Sequence, residues 1–140
     1  MKTVKFTVPG PPKGKARART VKTKKGQTFS YTPEGTVLYE NKIKTSYFQE
    51  CRESFQNGEA LKITATAYFN IPKSTSKKKR QEMLSGQILP TKKPDIDNIV
   101  KCILDALNKT AYHDDSQVVQ LTITKRYAER PRVEVEIQEI

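Results

Sequence analysis

Histidine is almost absent from this chain, with His113 the only one among 140 residues. Cysteine is scarce too: Cys51 and Cys102 stand far apart and outside any CxxC pattern. These scarcities argue against a His/Cys zinc site and against a Ser-His-Asp triad. With no secretory signal beside them, the two thiols are expected to be reduced. No apolar run approaches the roughly 20 residues a membrane span needs. The opening "MKTVKFTVPG" alternates like a strand and lacks the apolar centre of a signal peptide, so a cytoplasmic protein with no membrane partner is expected. A GxxxxGK[ST] loop is missing, which excludes a P-loop ATPase, and no nucleotide cofactor is expected. Acids are also in short supply, with 15 against 26 lysines and arginines, for a net charge of +11. Whatever chemistry the chain performs must rest on carboxylates and lysines.

The excess of cations points to a polyanionic partner. Residues 9–33 hold Lys13, Lys15, Arg17, Arg19, Lys22, Lys24 and Lys25 and no acid. Their proline and glycine content suggests a loop, or two edge strands about a turn at Gly26, forming an arm that grips phosphates. Around it, "KTVKFTV" reads as a first strand and Pro33–Phe55 as a helix with Val37, Leu38, Ile43, Tyr47, Phe48 and Phe55 as its apolar stripe. "LKITATAYFNIP" is a strand. "STSKKKRQEMLSG" is a short capped helix whose Lys77, Lys78, Lys79 and Arg80 either face solvent or contact a DNA backbone. Residues 95–108 form the clearest helix, with Ile99, Val100, Ile103, Leu104 and Leu107 on one sector and Ile96 beside them. Two alternating runs around "ERP" read as a hairpin. No repeat or linker divides the chain, so residues 1–140 are expected to form one α/β (α+β) domain, a mixed β-sheet packed against helices.

Against this basic background every aspartate falls within about twenty residues: Asp95, Asp97, Asp105, Asp114 and Asp115. An N-cap accounts for one of them, because free amides at a helix start favour a carboxylate. Asp97 and Asp105 stand about 12 Å apart along a helix and cannot share one magnesium ion, so Asp105 is expected to be structural and to pair with Lys101. Lys101 also lies one turn beyond Asp97. "NKTAYH" is long enough to fold Asp114 and Asp115 back beside the helix, where only one of the two would face Asp95 and Asp97. Carboxylates crowded together without neutral donors select Mg²⁺ or Mn²⁺. In a basic protein such a set suits metal-activated hydrolysis of a phosphodiester, with Lys101 at the developing charge. An EF-hand starting at Asp95 fails, because Val100 and Ala106 occupy the glycine and glutamate positions. A non-catalytic nucleic-acid-binding module, its aspartates shaping turns, and a nuclease for flaps or other branched DNA both remain open.

"KPDIDNIVKCILDALN" followed by "AYHDDSQVVQL", with "GPPKGKAR", "YTP" and "YE" upstream, resembles the RusA-type Holliday junction resolvases over nearly the whole chain. The resemblance implies a homodimeric, Mg²⁺- or Mn²⁺-dependent endonuclease that resolves four-way DNA junctions by paired symmetric nicks in recombination and repair. Such enzymes are often phage- or prophage-encoded and act in a bacterial host. The resemblance assigns the catalytic and metal-binding acids to Asp95, Asp97 and Asp115, with Asp114 in support, and the functional lysine to Lys101. Lys109 stands where many relatives carry glycine, and "KGKAR" replaces a "KGRPR"-like run.

Overall fold

The computed structural model describes residues 2–140. Four strands make a mixed sheet in the order β1 (Thr3–Pro9), β6 (Arg132–Glu139), β4 (Leu61–Asn70), β5 (Val118–Ala128). Strands β4 and β5 are parallel, while β6 runs antiparallel to both β1 and β4. A separate two-stranded ribbon pairs β2 (Arg19–Lys22) with β3 (Thr28–Tyr31). Helices α1 (Glu34–Glu50), α2 (Lys77–Ser85) and α3 (Ile96–Leu107) complete the chain, and a 3-10 turn at Asp115–Gln117 leads into β5. The expected α+β class with a mixed sheet against helices is the one observed.

Period-two alternation builds the sheet. In β4, Leu61, Ile63, Ala65, Ala67 and Phe69 are buried while Lys62, Thr64, Thr66 and Tyr68 lie on the opposite, half-exposed face. Phe6 and Val8 of β1 and Val133, Val135 and Ile137 of β6 join the same core. Each fully buried aliphatic there contributes about 1.5–3 kcal/mol. Helices α1 and α3 pack against each other over this face and close the core.

Four readings from periodicity need correction. The runs around "ERP" are not a hairpin, because β4 lies between β5 and β6. Alternation reports which face a residue takes and is silent about which strand lies alongside. Helix α1 ends at Glu50, with Cys51 extended, rather than at Phe55. Phe55 is buried from the following loop, its N–H donating to the Ala111 carbonyl at 2.8 Å. The face α1 buries is Thr36, Tyr39, Ile43, Ser46 and Tyr47, leaving Val37, Leu38 and Phe48 exposed. In α3 the buried set is Ile99, Cys102, Ile103, Ala106 and Leu107, and Ile96 is exposed. The stripe is thus rotated toward Cys102.

Candidate metal and nucleic-acid site

The loop into α3 is fixed at the far ends of β4 and β5. Lys92 Nζ sits 6.0 Å from the Phe69 ring centre and 5.7 Å from that of Tyr127. Lys125 of β5 donates to the Lys92 carbonyl at 2.5 Å. Asp95 then occupies the N-cap position of α3 with extended backbone, at φ −70° and ψ 153°. Its side chain makes no capping hydrogen bond. The structural reason for an aspartate at this place is therefore not in use. Asp97 follows in the first turn, exposed, with Lys101 exposed one turn on.

The basic arm presses against this mouth. Pro12, Lys13, Gly14 and Lys15 line one side of a cleft of about 480 Å³, and Lys93, Pro94, Asp95 and Asn98 line the other. Lys15 N–H donates to the Asn98 carbonyl at 2.9 Å, and Ala16 N–H to Thr36 Oγ1 at 3.1 Å. A second space of about 470 Å³, around Phe55, Lys109, Tyr112 and His113, contains none of the five aspartates.

Asp114 and Asp115 enter through a different device. Asp114 accepts the Ser116 N–H at 3.0 Å and forms a capping box with Gln117. Those Ser116 hydrogen bonds hold its carboxyl below the usual range. Buried Gln117 accepts the N–H groups of His113 and Asp114 at 2.9 and 3.1 Å and donates to the carbonyls of Gln56 and Glu59 at 2.8 and 3.0 Å. Gln117 escaped the sequence reading. The signal was present, since a glutamine three residues after an aspartate is a capping-box spacing. Asp115, which follows Asp114, is exposed, and its side chain is in none of the hydrogen bonds found among the described residues.

The turn carrying Asp115 packs against α3, as a fold-back requires. The Tyr112 hydroxyl donates to the Leu104 carbonyl at 3.0 Å, and burial, followed by the nearby charges of Asp115, Asp105 and Asp114, raises its titration. Asp114 and Asp115 are thus tied toward the last turn of α3, whereas Asp95 and Asp97 occupy its first. Among the described residues no group of three or more His, Cys, Asp or Glu converges closely enough to hold a metal ion. The donors nevertheless fit a hard cation by their chemistry. Asp95, Asp97 and Asp115 are exposed carboxylates, and none forms an ion pair among the described residues.

The cations divide. Lys13, Arg17 and Arg19 are exposed and form no ion pairs among the described residues, and Lys77, Lys78 and Lys79 line the outside of α2. Arg80 reaches Glu129 at 3.1 Å. Lys15 departs from its expected role as a free phosphate ligand: Asp105 at 2.7 Å and Glu40 at 3.4 Å hold it. Asp105, through its hydrogen bond, raises the Lys15 ammonium's titration above the ordinary lysine value. Asp105 therefore pairs with Lys15 rather than Lys101, across 90 positions in the chain. Beneath them burial pushes the Cys102 thiol up to about 12.

Residues 9–138 match the family described as Endodeoxyribonuclease RusA, which covers all the elements of the site. The chain is 38% identical over 142 residues to "Uncharacterized protein YqaN" of Bacillus subtilis (strain 168), covering 100% of this chain and 99% of that protein. It is 32% identical over 121 residues to "Crossover junction endodeoxyribonuclease rusA" of Lactococcus phage r1t, covering 86% of this chain and 85% of the phage protein. No helix among the described residues is long and apolar enough to cross a membrane. With a family match over residues 9–138 and 32% identity to the phage enzyme, the chain belongs to the RusA endodeoxyribonuclease family.

Proposed function

We propose that this protein is a Mg²⁺- or Mn²⁺-dependent endodeoxyribonuclease that resolves four-way DNA junctions by paired symmetric nicks, in recombination and repair. The observation that carries the metal-dependent reading is the unused N-cap: Asp95 lines a cleft together with Lys13, Lys15 and Lys93, and Asp97 follows exposed in the first turn of α3, neither carboxylate in an ion pair among the described residues. In a protein of net charge +11, carboxylates left without partners suit a cation brought in with the substrate. The junction preference is supported by the 32%-identical crossover junction endodeoxyribonuclease of phage r1t.

Asp95 and Asp97 would hold the ion, while Asp115, which the resemblance assigns as the third acid, is presented by the Asp114 turn toward the other end of α3. When bound, the ion supplies an activated water and neutralises charge on the scissile phosphate. Lys101, one turn beyond Asp97, faces the same side and stabilises the charge that develops on the phosphate oxygens. Lys13, Arg17 and Arg19 of the arm and Lys77–Lys79 of α2 position the backbone on either side. Two symmetric nicks require two sites related by a twofold axis, so the working unit is a homodimer. The setting is the cytoplasm of a bacterial host, with a phage or prophage gene as the source.

The test is cleavage of a labelled four-way junction, a linear duplex and a flap, in Mg²⁺ or in EDTA. Cutting is expected for the junction in Mg²⁺ only. Asp97→Asn should slow cleavage by about a hundredfold or more while junction binding stays within a few-fold. Wild-type rates in that variant would refute the ligand role, and faster flap cleavage would overturn the junction preference.

A further inference from the structure

The β2–β3 ribbon has a chemical face that neither metal binding nor phosphate gripping explains. Its register sets Arg19 opposite Tyr31 and Val21 opposite Phe29. Directly opposed residues project on one side of an antiparallel ribbon. One face is therefore Arg19, Val21, Phe29 and Tyr31, and the other is Thr20, Lys22, Thr28 and Ser30. All eight residues are exposed, and Phe29 and Tyr31 remain 51% and 42% accessible. Their ring centres lie 6.4 Å apart with planes tilted by 41°, so neither ring covers the face of the other. The ribbon belongs to no larger sheet, and the core contains none of its residues. The fold does not need these rings, and exposed aromatic surface in a soluble domain calls for an occupant.

Charge identifies the occupant. Arg19 shares the face of the rings, Arg17, Lys22, Lys24 and Lys25 flank it along the chain, and residues 9–33 contain no acid. A second copy of the ribbon would bring the same cations and be repelled. A polyanion with planar apolar faces is complementary on both counts, and that describes nucleic acid with unstacked bases. Intact duplex offers phosphates alone, because its base faces already stack on each other. We propose that Phe29 and Tyr31 form a base-stacking platform that takes unpaired bases at the branch point of the DNA. This deepens the function proposed above and rests on it for the identity of the branched substrate.

The position of the ribbon suits that task. Its root is clamped at the acidic mouth by the Lys15–Asn98 hydrogen bond and by Gly14, which packs against Asn98 and Pro94. Arg19 begins the ribbon four residues past Lys15, a reach of at most about 14 Å. Bases held there belong to the same stretch of DNA whose backbone meets Asp95 and Asp97.

The experiment is equilibrium binding in EDTA, so that cleavage does not enter. Three probes serve: a four-way junction with 2-aminopurine at the branch point, a linear duplex of the same sequence, and oligo-dT. Wild-type protein should change the 2-aminopurine emission. Phe29→Ala and Tyr31→Ala should each weaken junction and oligo-dT binding by about 5- to 150-fold and remove that change. Duplex affinity should hold within about twofold, and the salt slope should be unaltered because no phosphate contact is lost. Phe29→Trp should retain binding, whereas Phe29→Leu, apolar without a ring face, should not. Unchanged junction affinity in Phe29→Ala, or an equal loss on duplex, overturns the proposal. So does a change in sedimentation that marks the face as a contact between copies. If wild-type protein ignores junctions yet binds oligo-dT through Phe29, the junction reading fails and the platform stands. If junctions are bound and cut equally well by Phe29→Ala, the platform alone fails.

Discussion

Replacing Gly14 by alanine probes whether the arm must lie against the helix mouth for the enzyme to work. The new Cβ would stand 2.9 Å from Asn98 Cβ and 3.0 Å from Pro94 Cβ. Carbon atoms rest at about 3.5–4.0 Å, so the arm root must retreat by roughly 0.5–1 Å. Neither neighbour yields easily, since Asn98 is held within α3 and Pro94 is a rigid ring. Overpacking of this kind costs about 1–3 kcal/mol. The same retreat carries the 2.9 Å Lys15–Asn98 hydrogen bond beyond useful range, a further 0.5–1.5 kcal/mol or so. Detaching the root relieves both, because residues 10–18 contribute only Pro12 to the buried positions. The expected outcome is a modest fall in the urea midpoint with a much larger fall in junction cleavage, about a hundredfold, as for a misplacement near 1 Å. Gly35→Ala is the control, since its Cβ would meet nothing within 4 Å. Gly14→Ala protein that melts and cuts like wild type would refute the argument.

Lys109 has φ 61°, in the left-handed region that favours glycine. Lys109→Gly should therefore stabilise the fold by about 0.5–1 kcal/mol, the strain relieved less the added chain entropy, and a lower urea midpoint would contradict this. Lys15→Ala frees Asp105 and Glu40 and unpins the arm, a loss of about 1 kcal/mol. Trypsin should then cleave between Arg17 and Lys25 about fivefold faster or more, and an unchanged digest would count against the anchor. Burial raises the titration of Tyr39 and Tyr112 and brings Tyr47 and Cys102 to about 12. The unfolded chain loses these protons first, from its ordinary thiol value of 9.0 upward, so stability is full below that pH and falls as pH rises toward 12. Thermal melts at about pH 8 and about pH 10.5 should differ accordingly, and equal melting temperatures would disprove it.

The sequence was most informative where a pattern is local. The short helix with its Ser76 cap and Gly86 stop, and the two strands about Gly26, follow from neighbours in the chain. So does the aspartate at the start of α3. Pairing information is not local. Nothing in "QVVQLTITKRYA" shows that its neighbour is β4, in parallel, rather than the strand that follows it. The Lys15–Asp105 contact joins residues 90 apart, and only the docking of the arm on α3, through the Lys15–Asn98 hydrogen bond, brings them together. The helix stripe was misjudged by its rim, where Ile96, Val37 and Leu38 look like core until the narrow contact of two helices is known. Motif resemblance named the candidate acids, but spacing alone could not show that Asp95 leaves its cap unused while Asp114 fills one.

The place of β6 sets the order in which this protein can be built. It is the last strand to be synthesised, yet it lies between β1 and β4 and hydrogen-bonds to both. A nascent chain emerging from the ribosome therefore holds its first strand without a neighbour until residues 132–139 appear. Sheet closure becomes a late event dominated by contacts distant in sequence, which slows folding and lengthens the time that bare strand edges are displayed. Loss of the final eight-residue strand would not trim one border of the sheet; it would split the sheet through its middle and leave β1 with nothing to join.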